Sequence, residues 1–451
     1  MSGVRIGNGC GFWGDNLDAP ILLARDGRLD YLTLEYLAEL TMSILALQKQ
    51  RDPQAGYATD FLDVLDRLTP ILQAQPQLKI VTNAGGMNPA ACAAKARAIL
   101  DKAGLANRKI ATVSGDDLLP RLDAILAAGQ NLANQDTGEP LTSVRQRVVS
   151  ANAYLGAHPI ADALNLGAAI VITGRVADAS LTLGPAVHAL GWQWNDWDRL
   201  AAGSVAGHVI ECGAQATGGL WCNWRDCPDL ANVGYPIAEM NEGGSFAVSK
   251  PPNSGGAVNI ETISEQLLYE VGDPAAYMTP DVVADFTSVQ LKQTGQDEVR
   301  IDKVRGKPAT NTYKVSISYR DGFMASGTLV LLGPDAVAKA RLCGQMILDR
   351  LKRAGFTLDR SNIEVLGAGA VAPGVIATAG APAEVVLRVS VHDSRKAAVE
   401  RFSKEFAPLV TSGTPGVTGY TTGRPPVREV FAYWPALIAK NLVQAEVRVE
   451  P

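Results

Sequence analysis

The first 200 residues alternate short apolar runs with segments of helix length, and this alternation constrains the fold most strongly. Between the runs, apolar residues recur at helical spacing, for example over Asn88–Ala103 and Leu118–Ala128. The predicted strands are Val4–Gly7, Tyr31–Leu34, Leu78–Thr82, Lys109–Val113, Val148–Asn152 and Ala169–Thr173. Strands that alternate with helices form a parallel sheet with helices on its faces. We therefore predict an α/β fold, doubly wound or barrel-like, for this part of the chain.

The second half of the chain has a different pattern. Proline, glycine, asparagine and serine accumulate between residues 228 and 256, which is typical of a domain boundary. We predict an α/β domain with a strand-end site over residues 1–240 and an α+β domain over residues 241–451. In the second domain, residues 312–332 predict a hairpin that turns at Asp321-Gly322. The later predicted elements are a helix over Pro334–Ala354, a strand over residues 384–392 and a helix over residues 394–410.

Composition excludes several classes of protein. Of the 451 residues, 47% are hydrophobic, so the chain can bury large cores. The net charge of -5 and the lack of a basic tract indicate no binding of nucleic acid. No signal-peptide pattern and no apolar run of membrane-spanning length occur, and the six cysteines are scattered. We expect a cytoplasmic protein with reduced thiols and no membrane association.

Three glycines after the first predicted strand, Gly9, Gly11 and Gly14, have the spacing G-x-G-x-x-G of dinucleotide-binding loops. Such a loop opens a helix of several turns at its third glycine, but Pro20 falls inside the first turn of that helix. We therefore expect no NAD(P) and no other cofactor. The N–H groups of Gly9 and Gly11 are predicted to face a carboxylate or phosphate, or the segment is a purely structural turn.

Polar or glycine-rich segments follow nearly every predicted strand. The carboxyl ends of parallel strands meet at one edge of a sheet, where binding and catalytic residues collect. The candidate residues at these ends are Glu35, Asn83, Gly85, Gly86, Asp116, Asn152 and Arg175. We predict a site at this edge, in which Asn83 and Asn152 position a ligand through hydrogen bonds.

Arg175 and Asp178 lie three residues apart after the last predicted strand. An arginine in this position binds a carboxylate or phosphate with two N–H groups. Alternatively, the two residues form a structural ion pair that closes the loop. Asp116 and Asp117 are paired carboxylates, one of which would titrate near neutrality if it is buried. Alternatively, Asp116 or Asp117 only caps the helix predicted from Leu118.

His208 and Glu211 are three residues apart and share a helix face, as metal ligands or an acid–base pair would. No second pair of this kind lies nearby, so no metal site is predicted. A histidine packed on a buried face is the remaining alternative. No G-x-S-x-G motif and no Walker loop occur, which excludes serine hydrolases of that type and P-loop nucleotide hydrolases.

Six longer stretches run through most of the chain. They are NAGGMNP (83–89), SANAYLGAHPI (150–160), TGRVADAS (173–180), GHVIECGAQATGG (207–219), EQLLYEVGDPAAYMTPDVVADF (265–286) and GRPPVREVFAYWPAL (423–437). In these stretches the chain resembles the acyclic terpene utilisation (AtuA) family. The resemblance implies breakdown of branched or terpenoid acids as CoA thioesters, with a hydratase or lyase step, and no particular catalytic residues.

We predict a catabolic lyase that adds and eliminates water, or cleaves a carbon–carbon bond, in a small carboxylic acid or acyl-CoA. Glu35 or Asp116 is predicted as the base, and Asp178 and His208 are further catalytic candidates. Arg175 and the N–H groups of the two glycine-rich loops form the predicted anion clamp. The alternative is a non-catalytic large subunit that binds an acyl ligand or organises a partner enzyme.

An apolar cluster near the end of the chain predicts an interface. Its members are Phe431, Tyr433, Trp434, Leu437, Ile438 and Leu442. So much apolar area needs a cover, either from the chain's own second domain or from another subunit. Longer relatives in the resembled family carry a ferredoxin-like domain that also occurs as a separate small protein. We predict a homo-oligomer that docks such a small protein near Trp434.

Overall fold

The structure is a computed structural model that describes residues 3–375, 380–419 and 423–450. The chain forms two compact units. Unit 1 extends to Ser318 and resumes at Tyr433, and unit 2 comprises Tyr319–Ala432. The predicted division after residue 240 lies inside unit 1, between two strands of one sheet.

The described residues contain nineteen strands. In chain order they are β1 (Val4–Asn8), β2 (Tyr31–Leu34), β3 (Lys79–Thr82), β4 (Ile110–Ser114), β5 (Val148–Ala153), β6 (Ile170–Thr173), β7 (Ile237–Met240), β8 (Phe246–Ser249), β9 (Tyr277–Met278), β10 (Val282–Asp285), β11 (Gln290–Gly295), β12 (Glu298–Asp302), β13 (Arg305–Pro308), β14 (Thr312–Leu332), β15 (Arg360–Leu366), β16 (Glu384–Asp393), β17 (Val417–Thr418), β18 (Arg428–Ala439) and β19 (Glu446–Glu450).

Twelve α-helices lie in the same described ranges. They are α1 (Ala19–Asp26), α2 (Glu39–Arg51), α3 (Asp60–Ala74), α4 (Pro89–Lys102), α5 (Leu122–Ala127), α6 (His158–Asn165), α7 (Ser180–Leu190), α8 (Trp197–Glu211), α9 (Ile260–Leu268), α10 (Ala336–Arg353), α11 (Lys396–Ser403) and α12 (Leu409–Ser412). Among the residues that the structure describes, no helix is both long and apolar enough to cross a membrane.

Unit 1 is built around a mixed sheet in the order β11-β12-β8-β7-β1-β2-β3-β6-β4-β19. Its centre, from β1 to β4, is parallel, and antiparallel strands continue it on both sides. The parallel strands are short and almost wholly buried, which explains their continuous valine, isoleucine and leucine runs. A mixed α/β fold is therefore confirmed, whereas neither a doubly wound nor a barrel-like arrangement is.

The helices α1, α3 and α4 pack on this sheet through one large apolar cluster, to which they contribute Leu23, Phe61 and Cys92, respectively. The start of α4 is well specified by the sequence. The Asn88 side chain accepts a hydrogen bond from the Ala91 N–H, and Pro89 occupies the first turn, where no backbone donor is needed. Local capping and burial thus hold the loops at the carboxyl ends of the strands.

One of the six strands predicted for the parallel sheet is not part of it. β5 pairs with β14 instead. Both edges of β4 are already occupied, by β6 and by β19, so no position remains for β5 beside it. Its apolar pattern correctly predicted a buried strand but not its partner, because periodicity reports burial alone.

The predicted hairpin over residues 312–332 is wrong, because these residues form one strand of 21 residues. Gly322 has a φ of +87°, and from Phe323 onward the strand pairs with β16 rather than with its own first half. The helix predicted over residues 394–410 is interrupted. It forms α11 and α12, with Pro408, which has no N–H group, at the N-cap of α12.

Unit 2 is an antiparallel sheet covered by helices. The order β15-β16-β14-β17 places the second half of β14 between β16 and β17. Its core contains Leu387 and Val389 of β16, Ile347 of α10, and Phe402 and Phe406, whose rings are 5.2 Å apart in an edge-to-face contact.

Candidate functional site

Unit 1 contains an open cavity of about 1000 Å³. Elements from distant parts of the sequence supply its polar lining, which includes Asp15, Glu35, Glu39, Tyr154, Arg175, Asp178, His208, Glu211, Tyr277 and Lys314. Glu35 follows β2 and Arg175 follows β6, as predicted for carboxyl ends of parallel strands. His208 and Glu211 lie in the last turn of α8, and Lys314 belongs to β14.

Arg175 is buried in the wall of this cavity, with 1% of its surface exposed. Its Nη1 donates to the Leu37 carbonyl at 2.9 Å and to Asp178 Oδ1 at 2.8 Å. The guanidinium carbon lies 4.1 Å from the centre of the Tyr154 ring. Burial lowers the pKa of Arg175. The effects of Asp178, Tyr154 and Glu35 in the opposite direction are larger together, so the pKa lies well above its ordinary value. The Arg175–Asp178 ion pair is therefore present, and Asp178 neutralises part of the charge that would hold an anion.

Glu35 is a buried carboxyl group with two different oxygens. Oε1 accepts hydrogen bonds from the Leu37 N–H, at 2.7 Å, and from Asn83 Nδ2. Oε2 has no hydrogen-bond partner among the described residues. Burial and the negative charge of Asp178 raise the pKa of Glu35 well above its usual range, against the opposing effect of Arg175. Because Oε1 is held by two donors, a proton on Glu35 resides on Oε2.

His208 and Glu211 form a buried pair at the end of α8. His208 Nε2 lies 2.9 Å from the backbone carbonyl of Gln266, which can only accept, so Nε2 carries a proton. Nδ1 lies 3.3 Å from Glu211 Oε1, at ion-pair distance. Burial raises the pKa of Glu211 to about 7, although His208 lowers it. For His208, burial lowers the pKa, but Glu211 more than offsets this, and the pKa is raised. The proton that this pair gains or loses near neutrality therefore lies between Nδ1 and Oε1.

A second cluster of charged side chains at the cavity surrounds Glu39, the first residue of α2. Its Oε1 accepts from the Tyr154 hydroxyl at 2.6 Å and from Lys314 Nζ at 3.2 Å. Burial raises the pKa of Glu39, but the Tyr154 hydrogen bond and Lys314 outweigh it and lower the pKa to about 2. Lys314 also lies 4.7 Å from the centre of the Tyr154 ring, so Tyr154 connects this group to Arg175.

Asp116 and Asn152 lie behind the cavity wall and do not belong to the described lining. Asp116 Oδ2 accepts from Asn152 Nδ2 at 2.8 Å and from the Arg175 N–H at 2.9 Å. Burial raises the pKa of Asp116 to about 6, as expected for a buried carboxyl near neutrality. Its contacts fix the backbone of Arg175, and its neighbour Asp117 caps the following turn through the Leu119 N–H.

The N–H groups of the opening glycines are paired within the chain, which favours the alternative of a structural turn. The Gly9 N–H donates to the Thr33 carbonyl at 2.9 Å, and the Gly11 N–H donates to Asp15 Oδ2 at 2.8 Å. A side chain at Gly9 would meet the backbone of Pro20 at 2.8 Å, and one at Gly11 would meet Cys212 at 2.9 Å. These glycines are required because the chain packs against itself there. Gly11 lines the cavity, but through this packed turn.

The second glycine-rich loop is likewise structural in its contacts. Asn83 is fully buried, accepts from the Tyr36 N–H and donates to Glu35. The Gly86 N–H donates to the Asn83 carbonyl at 3.1 Å, and a side chain at Gly85 would meet the Thr173 carbonyl at 2.6 Å. None of these three residues belongs to the described lining of the cavity. Asn83 acts on the site through Glu35.

The model of the acyclic terpene utilisation family AtuA matches residues 4–449. The chain belongs to this family. No curated protein and no solved structure matches the chain significantly. The family match includes every residue that lines the cavity. In the described ranges, no three His, Cys, Asp or Glu side chains are grouped so that they could hold a metal ion.

Several residues of the cavity were not predicted from the sequence. They are Glu39, Tyr154, Tyr277 and Lys314. Gln266, which contacts His208 but is not part of the described lining, was not predicted either. Tyr154, Gln266 and Tyr277 lie in stretches that carry the family resemblance, which could have identified them. Lys314 lies in a strand of alternating pattern, where one more polar residue gives no signal.

Proposed function

We propose that the chain is a catabolic enzyme of acyclic terpenoid breakdown, of the hydratase or lyase class, that acts on a branched acyl-CoA. The family name implies a role in acyclic terpene utilisation. The observation that supports the reaction class best is the His208–Glu211 pair in the same cavity as Glu35 and Arg175.

Addition of water, its elimination and carbon–carbon cleavage next to a carbonyl all require a base and a donor to the developing enolate oxygen. Glu211 is the base in this proposal, because its pKa of about 7 leaves it partly ionised at neutral pH. His208 Nδ1 holds the proton that Glu211 takes up. No cofactor is needed for this chemistry.

Glu35 is the donor to the substrate carbonyl. Burial raises its pKa, which favours the protonated form, and the proton is then on Oε2, the oxygen without a hydrogen-bond partner among the described residues. Arg175 stabilises the negative charge that develops there. Asp178 raises the pKa of both Glu35 and Glu211, so all three carboxyl groups act on one region of the cavity.

The rest of the cavity suits a branched acyl chain. Leu37, Met278, Pro280 and Leu437 contribute apolar surface to the lining. A volume of about 1000 Å³ is at the upper end of ordinary ligand pockets, so a thioester of terpenoid length fits.

A turnover screen with binding measured in parallel tests this function. The purified protein is incubated with 3-methylbut-2-enoyl-CoA and longer branched enoyl-CoA esters, and hydration is followed by loss of the conjugated thioester absorbance. We expect turnover that falls about 100-fold or more in Glu211→Gln, because a general base contributes at least this much. Glu242→Gln, at an exposed position, is the matched control. Calorimetric binding without turnover or cleavage of any ester would instead support a non-catalytic acyl-binding subunit.

A further inference from the structure

Three side chains form a hydrogen-bonded series at the amino end of β3, the opposite end of the strand from Asn83. Lys79 Nζ lies 3.2 Å from His188 Nε2, and His188 Nδ1 lies 2.7 Å from Asn165 Oδ1. Lys79 is the first residue of β3, His188 lies on α7, and Asn165 ends α6. None of the three belongs to the described lining of the cavity. The series is therefore separate from the site described above.

The order of donors in this series determines the role of His188. Asn165 Oδ1 can only accept, so His188 Nδ1 carries the proton of the neutral ring. His188 Nε2 then presents a lone pair to Lys79 Nζ. Burial and the charge of Lys79 lower the pKa of His188, which keeps the ring neutral at neutral pH. A neutral imidazole held in this way is a general base directed at the lysine amine.

The surroundings of Lys79 favour its uncharged form. Burial lowers the pKa of Lys79, and Asp30, the carboxylate that acts on it, only partly offsets this. The ring of Tyr31 lies 5.5 Å from Nζ and packs edge-on against His188. Both Lys79 and His188 are only partly buried, so a small reagent can reach Nζ. An amine whose pKa is lowered by burial and that lies beside a base is an activated nucleophile.

We propose that Lys79 is a nucleophilic lysine that accepts an acyl group from an acyl thioester, with His188 as its base and Asn165 as the residue that orients His188. Nζ attacks the thioester carbonyl carbon, the carbon–sulfur bond breaks, and an amide forms on Lys79. His188 Nε2 takes the proton from Nζ and returns it to the leaving thiolate. Amine and thioester become amide and thiol, and no oxidant or reductant is consumed. The inference is independent of the proposed function.

Acetylation of the full chain by acetyl-CoA, followed by peptide mass spectrometry over time, tests the proposal. Lys95 and Lys102 on α4 are exposed and serve as internal controls in the same molecules. We expect Lys79 to be acetylated faster than both by about tenfold or more, because a positioned base accelerates the attack. Equal rates at the three lysines would overturn the proposal whatever the behaviour of variants.

Two variants separate activation from simple exposure. In His188→Gln the contact with Lys79 can persist, but no base remains, so the rate at Lys79 falls to that of Lys95. Asn165→Ala lowers the rate at Lys79 less, because His188 remains but is free to adopt the wrong tautomer. An unchanged rate at Lys79 in a folded His188→Gln protein would contradict the assigned role of His188.

Discussion

Asp116 illustrates how a single buried carboxyl group supports the site without lining it. Its carboxylate holds the backbone N–H of Arg175 and the side chain of Asn152. Burial raises its pKa from 3.8 to about 6. Between these two values the unfolded chain releases the proton and the folded chain keeps it. Stability is therefore lost as the pH rises through this window.

We compare the free energy of unfolding of the wild type with that of Asp116→Asn. We expect the difference, wild type minus variant, to fall by up to about 3 kcal/mol between pH 4 and pH 6, since one pKa unit corresponds to about 1.4 kcal/mol. Above pH 6 the difference stays constant, because Asp116 is then ionised in both states. Urea unfolding of both proteins at a series of pH values measures it. A difference that stays constant between pH 4 and pH 6 would contradict the pKa shift. Asp136→Asn, at an exposed position, is the control.

Arg175 is the only described arginine that combines full burial with a place in the cavity wall. Arg175→Lys keeps the charge but cannot donate to Leu37 and Asp178 while stacking on Tyr154. We expect a loss of about 2 kcal/mol in the free energy of unfolding, because Glu35 and Asp178 lose part of their compensation. Arg199→Lys, at an exposed pair with Asp196, should change stability by less than about 0.5 kcal/mol. Equal losses in the free energy of unfolding for the two variants, measured by denaturant unfolding, would contradict the proposed contribution of Arg175 to stability.

The residues of the site were predictable to the extent that they follow short buried strands. Glu35 and Arg175 were identified because parallel strands bring their carboxyl ends together. His208 and Glu211 were identified from helical spacing. Lys314 and Tyr154 could not be identified in this way, because β14 and β5 meet through pairing that no local pattern encodes. The spacing of Gly9 and Gly11 does not reveal that both N–H groups already have acceptors within the chain.

At the scale of elements, β14 shows how a turn signal can be overridden. Asp321-Gly322 predicts a hairpin turn, but β16 offers a full edge to residues 323–332, and the strand continues through Gly322. A side chain at Gly322 would meet the Asp393 carbonyl at 2.7 Å. In a hairpin turn, a Cβ atom at this position would instead point into solvent.

Alanine substitutions at two glycines distinguish these arrangements. Gly322 and Gly355 both have positive φ, at +87° and +83°, but a side chain at Gly355 has no neighbouring atom within 4 Å. We expect Gly322→Ala to cost about 1–2 kcal/mol more than Gly355→Ala, because only the former adds a clash to the backbone strain. Thermal or urea unfolding measures both. Equal costs would argue against a continuous strand at residue 322.

At the scale of the whole molecule, the chain covers part of its C-terminal apolar cluster itself. Trp434 and Ile438 are buried, and the Trp434 indole N–H donates to the Leu132 carbonyl at 3.0 Å. The Trp434 side chain is therefore not exposed to a partner. Substituting it would test stability rather than docking. The small ferredoxin-like partner remains a prediction.

The homo-oligomer also remains a prediction, with exposed apolar side chains as its support. Leu220 is 85% exposed and Leu40 is 63% exposed. Exposed leucines of this kind are candidates for burial in an interface between subunits. We expect light scattering of the purified protein at micromolar concentration to give at least twice the chain mass of 47.6 kDa. A single species at the chain mass would contradict the prediction.

In the proposed function, the cavity transfers protons at a carbon next to a thioester carbonyl. Exchange of the α-hydrogen with solvent tests this step alone, before any water addition or bond cleavage. The protein is incubated in D₂O with 3-methylbutanoyl-CoA and longer branched acyl-CoA esters, and mass spectrometry follows deuterium at the α-carbon. We predict uptake above the buffer rate that rises with pH through about 7, where Glu211 ionises. The rate should fall about 100-fold or more in Glu211→Gln and stay unchanged in Glu242→Gln. Uptake at the buffer rate for every ester, or full uptake in Glu211→Gln, would contradict the account.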